Sequence, residues 1–392
     1  MARLLALGIP AAILLSAVLW ISYTADFGLA YQGGVEAWNS GHPQRLLTWT
    51  GTPFYAVVMA GVSRIATVDL AAHVFSAINV LVWGSLLNVM WPYMADRVPP
   101  MFWWVTYGAA VIFAPAISTI FWLQPNLIVF AIALLGFALI GRRYRTAALL
   151  IGLSVALKPI VVLLPLALLL RKQTRPAAIW AIATTALLSF GGLVFLAWRA
   201  GDPSVLNPFD YLAGFLSKGR GPIAACVPEN YSPVALLCRL GLEPSTLITV
   251  VVAAAIVAIG WLLIRRLPDS REARWEVFGV ACVLSGMLGP IDWASYGVLM
   301  APLFLLLAYQ FWRASAPPPL WIGLGLAYLL AELVWDPLES LAQAPVAVVV
   351  FSYTAGQFSQ YVLLLVLVRW RLLTRESASS RTPATNPSVL RP

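Results

Sequence analysis

A chain of 392 residues that is 61% hydrophobic and only 10% charged cannot cover a globular surface with polar groups, which excludes a soluble domain. The formal charge of +9 does not indicate a nucleic-acid partner, because the basic residues cluster at the ends of apolar runs, as the positive-inside rule requires. Runs of about 20 apolar residues then predict an all-α polytopic membrane protein with the lipid bilayer as its partner.

The first predicted span is 4–23. A single Arg3 precedes it and no small-x-small cleavage pattern follows, so it reads as a retained helix rather than a signal peptide. Arg3 sets the N-terminus in the cytoplasm and Asp26 outside. The stretch Tyr23–Tyr55, YTADFGLAYQGGVEAWNSGHPQRLLTWTGTPFY, is the first long polar interruption. Asp26 sits close to where the first span leaves the lipid, and carboxylates at that depth are costly and usually functional. Residues 53–67 are apolar but short and carry Arg64, which predicts an interfacial helix on the outer surface, with a short full span as the alternative.

Residues 71–91 cross inward to Asp96 and Arg97, 101–119 cross outward, Gln124, Pro125 and Asn126 turn the chain, and 126–141 return to Arg142, Arg143 and Arg145. The apolar stretch 146–170 has basic clusters on both sides, so one span would leave one cluster outside. Two short helices broken at Lys158-Pro159 keep both inside, and proline is expected to break a helix there. Lys158 then faces the outer surface from within the membrane; a kinked single span with a snorkelling lysine is the other reading. Residues 176–198 cross outward to the long polar segment 199–244, whose length suggests function. Spans at 245–264, 275–290, 295–312, 319–335 and 345–368 complete a map of about twelve.

On this map residues 1–373 form one transmembrane domain, with loops 24–70 and 199–244 on the active-site face and a disordered cytoplasmic tail at 374–392. Most basic residues fall inside, while only Asp96, Asp269, Glu272, Glu276 and Glu376 of the acidic residues do. Both termini are cytoplasmic, in a plasma-membrane protein. Cys226 and Cys238 share the long loop; an oxidising exterior would let them pair, and two unpaired small residues is the alternative. His42 and His73 are isolated and no cluster has metal-ligand spacing, so neither metal nor cofactor is expected.

The external face thus collects Asp26, Gln124, Asn126, Lys158, Asn230, Ser232, Arg239 and Trp293. A carboxylate among cations at the lipid boundary suits a chemistry in which the base activates a hydroxyl while the cations hold a lipid phosphate. No Gly-rich phosphate loop marks the cytoplasmic side for a nucleotide sugar. The donor is therefore expected to be a sugar on a polyprenyl phosphate that has already crossed the membrane. Several readings compete residue by residue. Gln124 and Asn126 fit helix capping as well as ligand contact. Asn230 and Ser232 fit a turn before Pro233. The tryptophans fit an aromatic belt or a sugar-stacking surface.

Ordered segments also resemble glycosyltransferase family 87, polyprenyl-phosphate sugar transferases of the GT-C class. They are DFGLAYQGGVEAWNSGHP with TGTPFY, the run from WLQPN through GLSVALKPIVVLLPLALLLRK, PENYSPVALLCR, and LGPIDWASYGVLMAPLFLL, together covering about 24–310. The resemblance implies a GT-C helical bundle with interfacial helices in the first external loop. It implies transfer of mannose or arabinofuranose to a cell-envelope glycolipid or polysaccharide acceptor. Asp26 would be the general base, and Lys158 or an external-loop arginine would bind phosphate. Tyr31, Gln124, Asn126, Asn230, Ser232, Arg239, Trp293 and Tyr296 would contact substrate. Many relatives carry histidine shortly after the Pro-Ile-x-Trp tryptophan, where this chain has Ala294-Ser295-Tyr296, so Tyr296 would stand in as a hydrogen-bond donor. A transporter or flippase for a lipid-linked sugar is the alternative class; it would often show repeats in two halves, and none is visible.

Overall fold

The computed structural model describes residues 25–46, 51–90, 99–209, 211, 226, 230–242, 245–267, 271–288, 294–333 and 346–379. The expected first span 4–23, Trp49, Asp292, Trp293 and the tail from 380 lie outside them. All regular elements described are helices.

Helices α1 (Ala25–Asn39) and α2 (Pro53–Ile65) form an antiparallel hairpin. The Tyr31 hydroxyl donates to the Ala66 carbonyl at 2.9 Å, beyond the end of α2. Gly34 lies directly against the Met59 backbone, where a Cβ would clash. Proline at the first helical position and Thr52 at the cap start α2, with the Thr52 oxygen accepting from the Tyr55 amide at 3.0 Å. A small core of Phe27, Tyr55, Met59, Ala60 and Leu196 binds this hairpin to α9 (Arg175–Ala200).

The next helices are α3 (Val68–Met90), α4 (Pro100–Ile112), α5 (Ala114–Phe121), α6 (Asn126–Leu139) and α7 (Tyr144–Leu157). The chain breaks between α4 and α5, where Pro115 removes a donor and the Ala114 amide instead meets Glu332 Oε2 at 3.1 Å. After α7 come a 3-10 turn (Pro159–Val161) and α8 (Leu163–Leu169). Helices α7 and α9 run parallel. Gly152 abuts Ala181 and Thr184, and further along both helices Thr52 bonds the Ala156 carbonyl while its neighbour Pro53 abuts Gly192. The chain between them therefore turns back at Lys158-Pro159 and descends through α8. The Leu163 amide is tied to Ser285 Oγ at 2.9 Å, and Arg171, below, to the Leu267 carbonyl at 2.9 Å.

The remaining helices are α10 (Pro233–Arg239), α11 (Thr246–Arg265), α12 (Arg271–Leu288), α13 (Ala301–Arg313) entered through a 3-10 segment (Ala294–Met300), α14 (Pro318–Glu332) and α15 (Val346–Ser379). Helix α12 is central: Val277, Phe278, Val280, Ala281, Cys282, Val283 and Leu284 are all buried, leaving no solvent stripe. By contrast α9 and α11 expose Trp180, Leu187, Phe190, Leu247, Val250 and Val251, as helices facing lipid do.

Five described segments are long and apolar enough to cross a membrane: Val68–Ser85, Arg175–Ala200, Leu247–Arg265, Ser295–Arg313 and Phe351–Thr374. A sixth arises if the bent pair around Phe113 is one broken span. The protein is thus an all-α, polytopic membrane bundle. Asn126–Leu139, Tyr144–Leu157 and Pro159–Leu169, each expected as a span, are apolar but shorter. At about 1.5 Å per residue such helices fall short of the roughly 30 Å hydrocarbon core. Helix α15 runs to Ser379, past Thr374 where the tail is expected to begin.

Candidate active site

Helix ends deliver the polar side chains of the site. Asp26 stands in the first turn of α1, where a carboxylate complements the helix dipole. Gln124 follows Leu123, whose φ of 49° is a rare left-handed value for a branched apolar residue. That turn lets the Gln124 amide reach the Thr119 carbonyl at 3.0 Å and aims its side chain back at α1. Asn126 opens α6. Lys158 is extended, φ −154° and ψ 125°, between α7 and the 3-10 turn, because the proline after it forbids helical continuation.

These side chains form one chain of hydrogen bonds. Gln124 Nε2 donates to Asp26 Oδ2. Lys158 Nζ donates to Gln124 Oε1 at 2.6 Å and to Asn126 Oδ1 at 2.8 Å. Asn126 Nδ2 donates to Ser295 Oγ at 3.1 Å. The Lys158 ammonium also lies 4.7 Å from the Tyr296 ring centroid, within cation–π range. The order leaves one arrangement of the Gln124 amide: nitrogen toward a carboxylate, oxygen toward an ammonium. It holds an anion and a cation apart at the length of one amide.

The scaffold behind them is buried and polar. Asn79, fully buried in α3, donates to the Gln124 carbonyl at 3.2 Å, and Thr119 donates to the Ser295 carbonyl at 2.8 Å. Tyr55 is buried nearby; burial first, then the Asp26 carboxylate, push its phenol above the ordinary range and keep it neutral. Asn79, Thr119 and Ser295 do not stand out in the sequence, although a polar residue inside an apolar run is itself a signal.

The structure separates the other candidates. Gln124 and Asn126 do not cap α6, since their side chains are spent on Asp26, Lys158 and Ser295. Tyr31 bonds the end of α2 rather than Gln124 or Lys158. Asn230, Ser232 and Arg239 gather in a second cluster. Ser232 Oγ caps α10 by accepting from the Ala235 amide at 3.2 Å, and Asn230 Oδ1 accepts from the Ser232 amide at 2.9 Å. Arg239 donates to the Asn230 carbonyl at 2.5 Å, to Thr354 Oγ1 at 2.9 Å and to Gln357 Oε1 at 3.1 Å, tying the loop to α15. Cys226 and Cys238 are disulfide-bonded across the same loop. Among the described residues no three His, Cys, Asp or Glu side chains form a metal-binding group.

Residues 49–290, more than half of the chain, match the family model of Glycosyltransferase family 87. No curated protein and no solved structure matches the chain. The matched stretch holds Gln124, Asn126 and Lys158; Asp26 precedes it, and Ser295 and Tyr296 follow it.

Proposed function

The chain belongs to glycosyltransferase family 87, a GT-C-class family, and from that premise we propose that it transfers mannose, or arabinofuranose, from a polyprenyl-phosphate donor to a cell-envelope glycolipid or glycan on the outer face. The observation that carries this reading is the Asp26–Gln124–Lys158 bridge. Inverting transfer needs a base for the incoming hydroxyl and a cation for the departing phosphate, held apart by roughly the width of the reacting sugar.

Asp26 takes the proton from the acceptor hydroxyl. The freed oxygen attacks the anomeric carbon from the face opposite the phosphate, the carbon–oxygen bond to phosphate breaks, and its electron pair leaves with the polyprenyl phosphate. Lys158 has two of its three N–H groups on amide oxygens. The third is offered to the leaving phosphate. Tyr296 screens the cation from one side, and the Gln124 bridge keeps Lys158 from collapsing onto Asp26. Tyr31, Asn230, Ser232 and Arg239 enter this reading as contacts of the acceptor.

The test is sugar transfer by purified wild-type and Asp26→Asn protein with short-chain polyprenyl-phosphate mannose and arabinofuranose and a membrane glycolipid extract. A positioned base contributes about 10²–10⁴-fold. A drop of that order with donor binding kept supports the reading, and the donor that works names the sugar. Equal activity of the two proteins moves catalysis off Asp26. No transfer by wild type with either donor favours the transporter class.

A further inference from the structure

At the far end of α1, two arginines close on one indole. Arg199, in the last turn of α9, donates from Nε to the Trp38 carbonyl at 2.5 Å. Its Cζ lies 4.7 Å from the Trp38 ring centroid and 5.3 Å from that of Trp198. Arg64, in the last turn of α2, brings its own Cζ to 5.3 Å from the same Trp38 ring. Three helices thus bring two guanidiniums within cation–π range of one indole. At 1.5 Å per residue this lies about 18 Å along α1 from Asp26, so it is separate from the candidate active site.

Two like charges converging on one ring repel, and the ring offsets only part of that. Among the described residues neither guanidinium is paired with a carboxylate. Of the carboxylates near in sequence, Glu36 accepts from the Ser40 hydroxyl, and Asp202 accepts from the amide and hydroxyl of Ser204, both at 2.8 Å. Arg64 is exposed and Arg199 half-buried. Beside them Ile65 is 84% and Trp198 67% exposed, apolar surface of the kind found at the headgroup level of a membrane.

We propose that Arg64 and Arg199, held apart on Trp38, form a site for the headgroup phosphate of an anionic lipid in the outer leaflet. The guanidinium fork matches phosphate oxygens, and a phosphate held by the two forks neutralises the positive charge that the ring alone leaves uncompensated. Ile65 and Trp198 then lie against the lipid's glycerol and upper acyl chains, contacts that a free phosphate ion cannot use.

The experiment is native mass spectrometry of the purified full-length protein titrated with short-chain phosphatidylglycerol, phosphatidylcholine and inorganic phosphate. Wild type is expected to bind phosphatidylglycerol in preference to phosphatidylcholine. Loss of charge-assisted hydrogen bonds is expected to weaken that binding about tenfold in Arg64→Gln/Arg199→Gln and several-fold in Arg64→Gln. Arg64→Gln breaks no hydrogen bond within the described protein, so its thermal midpoint should match wild type. Unchanged phosphatidylglycerol binding in Arg64→Gln overturns the proposal. Displacement of the lipid by equimolar inorganic phosphate overturns the lipid assignment in favour of a free anion. A lower midpoint with lipid binding intact overturns it in favour of a structural stack.

Discussion

Lys158 gathers the site's logic into one side chain. Its ammonium is surrounded by two amide oxygens and a ring face, all neutral, with the nearest established anion reached only through Gln124. A direct salt bridge would have satisfied the charge and left nothing for a phosphate. Lys158→Gln should therefore raise the donor KM far more than it lowers kcat. Charge-assisted hydrogen bonds are worth about 1.5–3 kcal/mol, so the rise should be about ten- to a hundredfold. Steady-state kinetics against donor concentration reads it; an unchanged KM would take Lys158 out of phosphate binding. At this scale the sequence was informative where a polar side chain stood out. Asp26, Gln124, Asn126 and Lys158 interrupt apolar runs, and the structure joins them in one network. Ser295 was not legible, since a serine beside Tyr296 carries no pattern until Asn126 is known to face it.

The elements hold these side chains through close backbone approaches. Gly34 lets α1 lie on the Met59 backbone, and α1 positions Asp26. Gly34→Ala must push the hairpin open, at about 1–3 kcal/mol for overpacking. A lowered melting midpoint in detergent and a loss of transfer larger than the stability change explains are expected together; normal activity would show that the hairpin tolerates the shift. The long loop is fastened differently. Cys226 and Cys238 close it, and the adjacent Arg239 ties it to α15. Of the three cysteines only Cys282 is free, and it is buried in α12. An impermeant maleimide should label the folded protein only after reduction, on two thiols, and in intact cells from outside. Labelling only from the cytoplasmic side would invert the orientation expected from the basic clusters. The hairpin at Lys158-Pro159 was legible because charge on both flanks and a proline in the middle restrict the chain to few paths. The α1–α2 contact was not, because a glycine's neighbour is invisible from its own helix.

Across the molecule, one buried polar knot joins distant parts of the chain. Glu276 is fully buried in α12, paired with Arg371 of α15, and accepts from Gln310 of α13, whose Oε1 takes Trp370 Nε1 at 2.9 Å. In the sequence Glu276 reads simply as a cytoplasmic charge. Removing one partner of a buried pair costs about 3–5 kcal/mol. Glu276→Gln should therefore lower the melting midpoint strongly, and Glu276→Met/Arg371→Met should recover most of the loss; a double variant no better than the single would deny the coupling. The sequence by itself determined the environment and architecture class. An excess of apolar residues and the placement of arginines are sums over the chain, and lipid reads them without reference to contacts. It also determined where helices break, since proline acts on its own neighbours. Only the tertiary structure decided which breaks meet: that Gln124 stands between Asp26 and Lys158, that Arg239 serves α15, and that Trp38 receives two arginines. Those facts depend on helix faces and crossing points, which are set by side-chain packing between segments far apart in sequence and carry no local signature.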